Sequence, residues 1–258
     1  MKKYIICLLI LLLVISTRCR RIIKRNDKIK KSKVLLSMLC TPNYNYVCND
    51  VIDQVEQYAK VHKYNFVVGR RNLNSNLHIN FSRFELIKRL IEHTDHDYYV
   101  IMDADSQVHH DNISIEDLIT NYSDNPNALI FAPLDVVGGW SFGSFSIRAW
   151  HTTLINGGLM IFHRNALPYI KDYLYMAEHT KCGQYWNDVH PRCQNVWDHC
   201  FAKKDYYKSI FSYIPWELVG VRASTFISQT FETQYNEKDK NAVINNKLKT
   251  DEPLLHIV

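Results

Sequence analysis

Apolar positions along the first half of the chain switch between two periods. Lys33 to Cys40 is a β-type apolar run, and Asn49 to His62 then carries Val51, Ile52, Val55, Tyr58, Ala59 and His62 at helical spacing. Tyr64 to Val68 reads as a second strand. Phe81 to Ile91 has Phe84, Ile87, Leu90 and Ile91 on one helical face, and Tyr98 to Met102 is a third, fully apolar strand. This β-α-β-α-β order predicts an α/β fold with a parallel, doubly wound sheet, whose ligands sit at the carboxyl ends of the strands.

The second half is less regular. Leu129 to Pro133 and Leu159 to Phe162 read as strands, Leu167 to Glu178 as a helix, Val196 to Lys203 as a short helix, and Ile210 to Val219 as a further strand. Glu232 to Asp251 is polar and charged, the pattern of a surface loop, before the final apolar stretch Pro253 to Val258. With 47% hydrophobic and 22% charged residues in 258, the composition is that of a folded protein. No repeat or internal linker divides it.

The N-terminus changes this picture. Tyr4 to Ile15 is an unbroken apolar run preceded by Lys2 and Lys3. It falls short of the roughly 17 to 25 residues of a transmembrane helix, so it spans by snorkelling its basic flanks or serves as a signal-peptide core; the absence of a small-x-small cleavage pattern favours an uncleaved anchor. The expected organisation is an anchor over residues 1–17, a basic stem over 18–33 and one catalytic domain over 34–258. Nine of the basic residues lie between Arg18 and Lys33, which accounts for the formal charge of +5. Without them the chain is slightly acidic, and no aromatic residues interleave with a basic stripe, so nucleic acid is a poor partner and the membrane a good one. Charge bias would keep this basic flank, and the domain beside it, in the cytosol. Cys40, Cys48, Cys182, Cys193 and Cys200 allow two disulfides and a spare thiol, or none. Sequons at Asn80, Asn112 and Asn121 decide little.

The sharpest chemical signal is Asp103-Ala104-Asp105 at the end of the third strand. An Asp-x-Asp triplet is common in solvated turns and helix caps. At the carboxyl end of a central strand, however, both acids reach the ligand edge, and carboxylate oxygens suit Mg²⁺ or Mn²⁺ beside a diphosphate. Gly157 and Gly158 would let backbone approach a ligand closely, or simply turn the chain into the next strand. Five tryptophans, Trp140, Trp150, Trp186, Trp197 and Trp216, offer faces for sugar stacking, with core packing the default for each. Asp135 could face an acceptor but is not expected to be a base. His109 and His110 lack zinc-site spacing.

Asn80 to Ile91 with Asp97 to Asp105, and then Leu154-Ile155-Asn156-Gly157-Gly158-Leu159-Met160-Ile161-Phe162-His163-Arg164-Asn165, resemble the donor-site segments of GT-A glycosyltransferases. The resemblance extends from Val34 to the end. It is nearest to the family of yeast α-1,2-galactosyltransferases, α-1,6-mannosyltransferases and plant xyloglucan xylosyltransferases, which are type II membrane proteins of the Golgi or ER lumen. It implies Mn²⁺ (or Mg²⁺) as cofactor, a UDP-sugar or GDP-mannose as donor, a glycan or glycoprotein as acceptor, and retention of anomeric configuration. Carried onto this chain, it gives Asp103, Ala104 and Asp105 to the nucleotide, Asp103, Asp105 and His256 to the metal, and Asn156, Gly157, Gly158 and His199 to the sugar. It makes Asp198 the catalytic carboxylate, although a helix-capping aspartate is the alternative. Two other functions remain open: a carbohydrate-binding protein that keeps the fold without turnover, and an aspartyl-phosphate phosphohydrolase. Gln107 argues against the second, where that class places Thr or Val.

Overall fold

The computed structural model describes residues 33–109, 111–133, 155–189, 192–215, 218–221, 227–229 and 255–257. The expected anchor, the stem up to Ser32, Asp135 and the Glu232 to Asp251 segment lie outside them. Among the described residues no helix is long and apolar enough to cross a membrane.

The first half follows its hydrophobic pattern: β1 (Val34–Leu39), α1 (Asn45–His62), β2 (Asn65–Gly69), α2 (Ser82–His93) and β3 (Tyr98–Met102). β1 lies between β2 and β3, parallel to both. Alternate residues of β3 enter different cores. Tyr99 and Ile101 pack with α2, whereas Val100 and Met102 pack with Val51, Val55, Tyr58 and Ala59 of α1. A strand covered on both faces has no polar side to present, which is why Tyr98 to Met102 is apolar throughout. α1 begins four residues earlier than its periodicity indicates. Pro42 opens a single 3-10 turn before it, and a disulfide from Cys40 to Cys48 ties its first turns to the end of β1.

After β4 (Ser106–Val108) come β5 (Ile130–Pro133), β6 (Leu159–His163), α3 (Leu167–His179), α4 (Lys181–Asn187), α5 (Cys193–His199) and β7 (Phe211–Ile214). The expected strand over Ile210 to Val219 breaks after Ile214, and β8 (Val219–Val221) joins a separate three-stranded sheet with β4 and β9 (Ile227–Gln229). β10 (Leu255–Ile257) pairs antiparallel with β2 and completes a seven-stranded sheet in the order β10-β2-β1-β3-β6-β5-β7. Five strands of the seven point the same way; β6 and β10 are reversed. The sheet is therefore mostly rather than wholly parallel. β6 lies between β3 and β5, antiparallel to both, with Met102 opposite Leu159. Its first residue consequently sits at the same sheet edge as the last residue of β3.

Among the described residues the cysteines form two disulfides, Cys40 to Cys48 and Cys182 to Cys200, with Cys193 a buried thiol. The second bridges 18 positions and fastens α4 to the end of α5. Removing it with Cys200→Ser is expected to lower stability by about 3 kcal/mol, the loop-closure entropy for a loop of this size. Denaturant unfolding of the variant beside the parent measures it, and mass spectrometry of non-reduced peptides should recover both crosslinks.

Candidate active site

The site is assembled where β3 ends and β6 begins. The chain leaves Met102 in a tight turn over Asp103 to Ser106, closed by Ser106 N–H donating to the Asp103 carbonyl at 3.0 Å. One acceptor pins both ends of that turn: the Gly158 carbonyl takes the Asp103 N–H at 2.9 Å and the Ser106 hydroxyl at 3.1 Å. The two motifs singled out in the sequence are thus hydrogen-bonded to each other. Ala104, between the acids, is half-buried and packs on the α1-side core.

The approach to β6 is equally fixed. Asn156 is buried; its N–H donates to the Pro133 carbonyl at the end of β5 (2.9 Å), and its Oδ1 accepts from Gly158 N–H at 2.7 Å. That side-chain-to-backbone bond makes an Asx turn, so Asn156 shapes the glycine segment. The role of Gly157 is steric. A Cβ there would run into Nη2 of Arg83 and sit 3.2 Å from its Cζ.

Arg83 is the residue of this constellation that sequence reasoning passed over. It is buried in the first turn of α2, its Nη1 donates to Asp103 Oδ1 in an ion pair, and its guanidinium carbon lies 5.2 Å from the centre of the Phe84 ring. Burial works against its charge, but Asp103 first and then Cys193 and Tyr173 together outweigh it, leaving the guanidinium above its ordinary value. The signal was in the pattern: positions 83, 87 and 90 share one helical face, and Arg83 is the basic residue on an otherwise apolar stripe.

Asp105 is pushed up to about 7, first by burial and then by the charge of Asp103, while its own backbone N–H and Arg83 pull the other way. Two carboxylates held together at this edge, with Arg83 ion-paired to Asp103 and its charge also acting on Asp105, form a donor set suited to a hard divalent cation. Such ions are commonly held by one or two carboxylates plus phosphate oxygens, so Asp103 and Asp105 fit one together with a diphosphate. Among the described residues no cluster of three ligating side chains occurs. His256 lies in β10 opposite Val68, whose row continues through Met38 to Met102. Three strand spacings make about 14 Å. The structure describes its backbone only.

Asp198 is buried on α5. It does not cap the start of that helix, being its sixth residue. One turn earlier on the same face, Gln194 donates to the Ile155 carbonyl at 2.7 Å, which docks this face of α5 against the entry to β6. After burial itself, the Asp198 charge contributes to raising Tyr213 on β7. His199 points elsewhere: its ring stacks on Trp186 with centroids 4.0 Å apart, and burial lowers its pKa. Trp197 is core, its indole N–H donating to Tyr207 Oη at 2.8 Å. Trp140, Trp150 and Trp216 lie outside the described residues.

No known family and no curated protein matches the chain by sequence. Solved structures match by fold. The chain resembles a glycosyltransferase involved in the glycosylation of the major capsid of PBCV-1, with a TM-score of 0.57 and 16% identity over 82% of this chain and 99% of that one. Looser likenesses are to a mutant Drosophila β-1,4-galactosyltransferase 7 in complex with manganese, UDP-Gal and xylobiose (TM-score 0.45, 11% identity, 84% and 77% covered) and to the bifunctional glycosyltransferase WbbM (0.46, 15%, 74% and 40%). The fold is the GT-A glycosyltransferase fold.

Gly157→Ala should displace the Arg83 guanidinium and cost about 1 to 3 kcal/mol, the range for overpacking a filled site. Arg83→Ala should cost about 2 kcal/mol, because it leaves a half-buried Asp103 without its cation. Thermal melts of both variants against the parent check the two values.

Proposed function

We propose that the protein is a metal-dependent glycosyltransferase that moves a hexose or pentose from a nucleotide sugar, a UDP-sugar or GDP-mannose, to a glycan or glycoprotein acceptor. The observation that carries this reading is the joining of Asp103, Arg83 and the Gly157-Gly158 segment at the carboxyl edge of a glycosyltransferase-type sheet. Asp103 and Asp105 would hold Mn²⁺ or Mg²⁺, which would supply positive charge against the diphosphate leaving group. Arg83 keeps Asp103 in one orientation, so the donor site is arranged before the ligand arrives. The backbone of Gly157 and Gly158 lines the sugar pocket. Asp198 is the carboxylate nearest in role to the transferred sugar. A carboxylate there serves retention in either of two ways, as the nucleophile of a covalent intermediate or as stabiliser of an oxocarbenium-like state attacked on the same face. His256 would complete the metal set as its third ligand.

The test is nucleotide release. The full chain, in a detergent without sugar headgroups, is given Mn²⁺ and in turn UDP-galactose, UDP-xylose, UDP-glucose and GDP-mannose. Release from one donor, abolished by chelation and lowered at least about hundredfold in a folded Asp105→Ala variant, is the expected result. No release together with no metal-dependent nucleotide binding would leave a GT-A scaffold used for carbohydrate binding alone.

The reading extends to location. Tyr4 to Ile15 tethers the chain to a membrane of the secretory pathway, with the domain in the Golgi or ER lumen. Two disulfides support the lumenal side over the cytosolic one, since such bonds persist in oxidising compartments. Asn112 is exposed in a turn within the sequon Asn112-Ile113-Ser114. Expressed in a secretory host, the protein should carry a glycan there, seen as a gel shift that Asn112→Gln removes; an unshifted parent would put the domain in the cytosol.

A further inference from the structure

A cavity lies between α2 and α3, on the face of α2 turned away from the acids. Its volume is about 560 Å³, inside the range of roughly 300 to 1,000 Å³ typical of ligand pockets. Two residues along a helix turn by about 200°, so the first turns of α2 present Arg83 to Asp103 and Glu85 to this groove. Its upper wall, Leu73 to Ser75, belongs to the loop that follows the carboxyl end of β2, the same sheet edge at which the donor motif sits. The groove therefore begins about one helix diameter, ~10 Å, from the donor site and runs away from it along α3.

Its chemistry is mixed in a particular way. Tyr175 is 60% exposed, with its ring 4.8 Å from that of His179. Around it stand carboxylates already held in place. Glu178 accepts from Asn76 Nδ2 at 2.8 Å and from Asn74 Nδ2 at 3.5 Å. Glu92 pairs with Lys171 at 2.7 Å, and Glu85 with Lys88 at 2.6 Å and Arg89 at 3.3 Å. Each acid has a local partner and the charges nearly cancel, so the groove offers no field to a phosphate, an acidic chain or a polycation. It offers fixed acceptors and donors at the rim of an exposed ring. A sugar matches that set, because its hydroxyls hydrogen-bond to carboxylates and amides while its apolar face lies on an aromatic side chain.

We propose that this groove binds a neutral oligosaccharide segment of the acceptor glycan, stacked on Tyr175 and hydrogen-bonded by Glu178, Asn74 and Lys88, and so anchors the acceptor beside the donor site. Only the use made of the sugar rests on the glycosyl-transfer reading; the binding itself does not.

Binding is measured by calorimetry on the full chain, in a detergent without sugar headgroups and with no nucleotide sugar present. The probes are maltohexaose, xylohexaose and mannohexaose, with a galacturonic acid hexamer as the charged control. One neutral probe should bind, about tenfold more weakly to Tyr175→Ala and to Glu178→Gln, and equally well to parent and Asp105→Ala. Tyr175 is exposed, so its variant keeps the parent melting temperature and leaves acceptor-free nucleotide release unchanged. The proposal is overturned if no neutral probe binds, if the charged hexamer binds best, or if Asp105→Ala loses binding that Tyr175→Ala retains. A failure of nucleotide release alone leaves the calorimetric result standing and strikes only the glycosyl-transfer reading.

Discussion

A guanidinium buried at the edge of the sheet sets the terms for everything around it. Taking that charge out of water is costly unless an opposite charge and hydrogen bonds compensate. Asp103 provides the charge, Phe84 a ring at 5.2 Å, and Gly157 the room. Three segments far apart in sequence are thereby tied together: the start of α2, the end of β3 and the entry to β6. None of them can shift without uncovering Arg83 or driving a side chain into it, and the acidic turn inherits that rigidity. The Gly158 carbonyl, holding the turn at both ends, adds a purely backbone restraint to the electrostatic one.

Much of the sheet was legible because burial on both faces leaves an unmistakable mark. The runs at Val34–Leu39 and Tyr98–Met102 have no polar alternation, and the helices between them show clean apolar faces. What the pattern does not encode is direction. Leu159–His163 would look the same running either way, and its reversal follows from where the chain returns to the sheet at Ile155. The early start of α1 was hidden for a different reason: a proline turn and a disulfide, rather than periodicity, define it.

The site divides along the same line. Asp103 and Asp105 stand out because they follow an apolar strand and Asn156 to Gly158 because they precede one, but that the two segments meet at one edge depends on the reversal of β6. Arg83 was readable in principle, as a lone cation on an apolar stripe, but only its partner across the fold reveals what it does. His256 and His199 depended on long-range placement: one on which sheet edge the last strand joins, the other on which neighbour the ring meets. Side-chain type alone specifies neither.

The insertion of β6 between β3 and β5 also governs how the molecule comes into being. While the chain is being made, β1, β2 and β3 with their two helices are complete long before Leu159 emerges. Until then β3 presents an unpaired, wholly apolar edge, the kind of surface that recruits other chains. The acidic turn is equally unfinished, since the carbonyl that fixes it belongs to Gly158. The half-made domain is therefore at its stickiest just before it becomes useful, and a ribosome stalled in that interval leaves a fragment prone to aggregate rather than a smaller working protein.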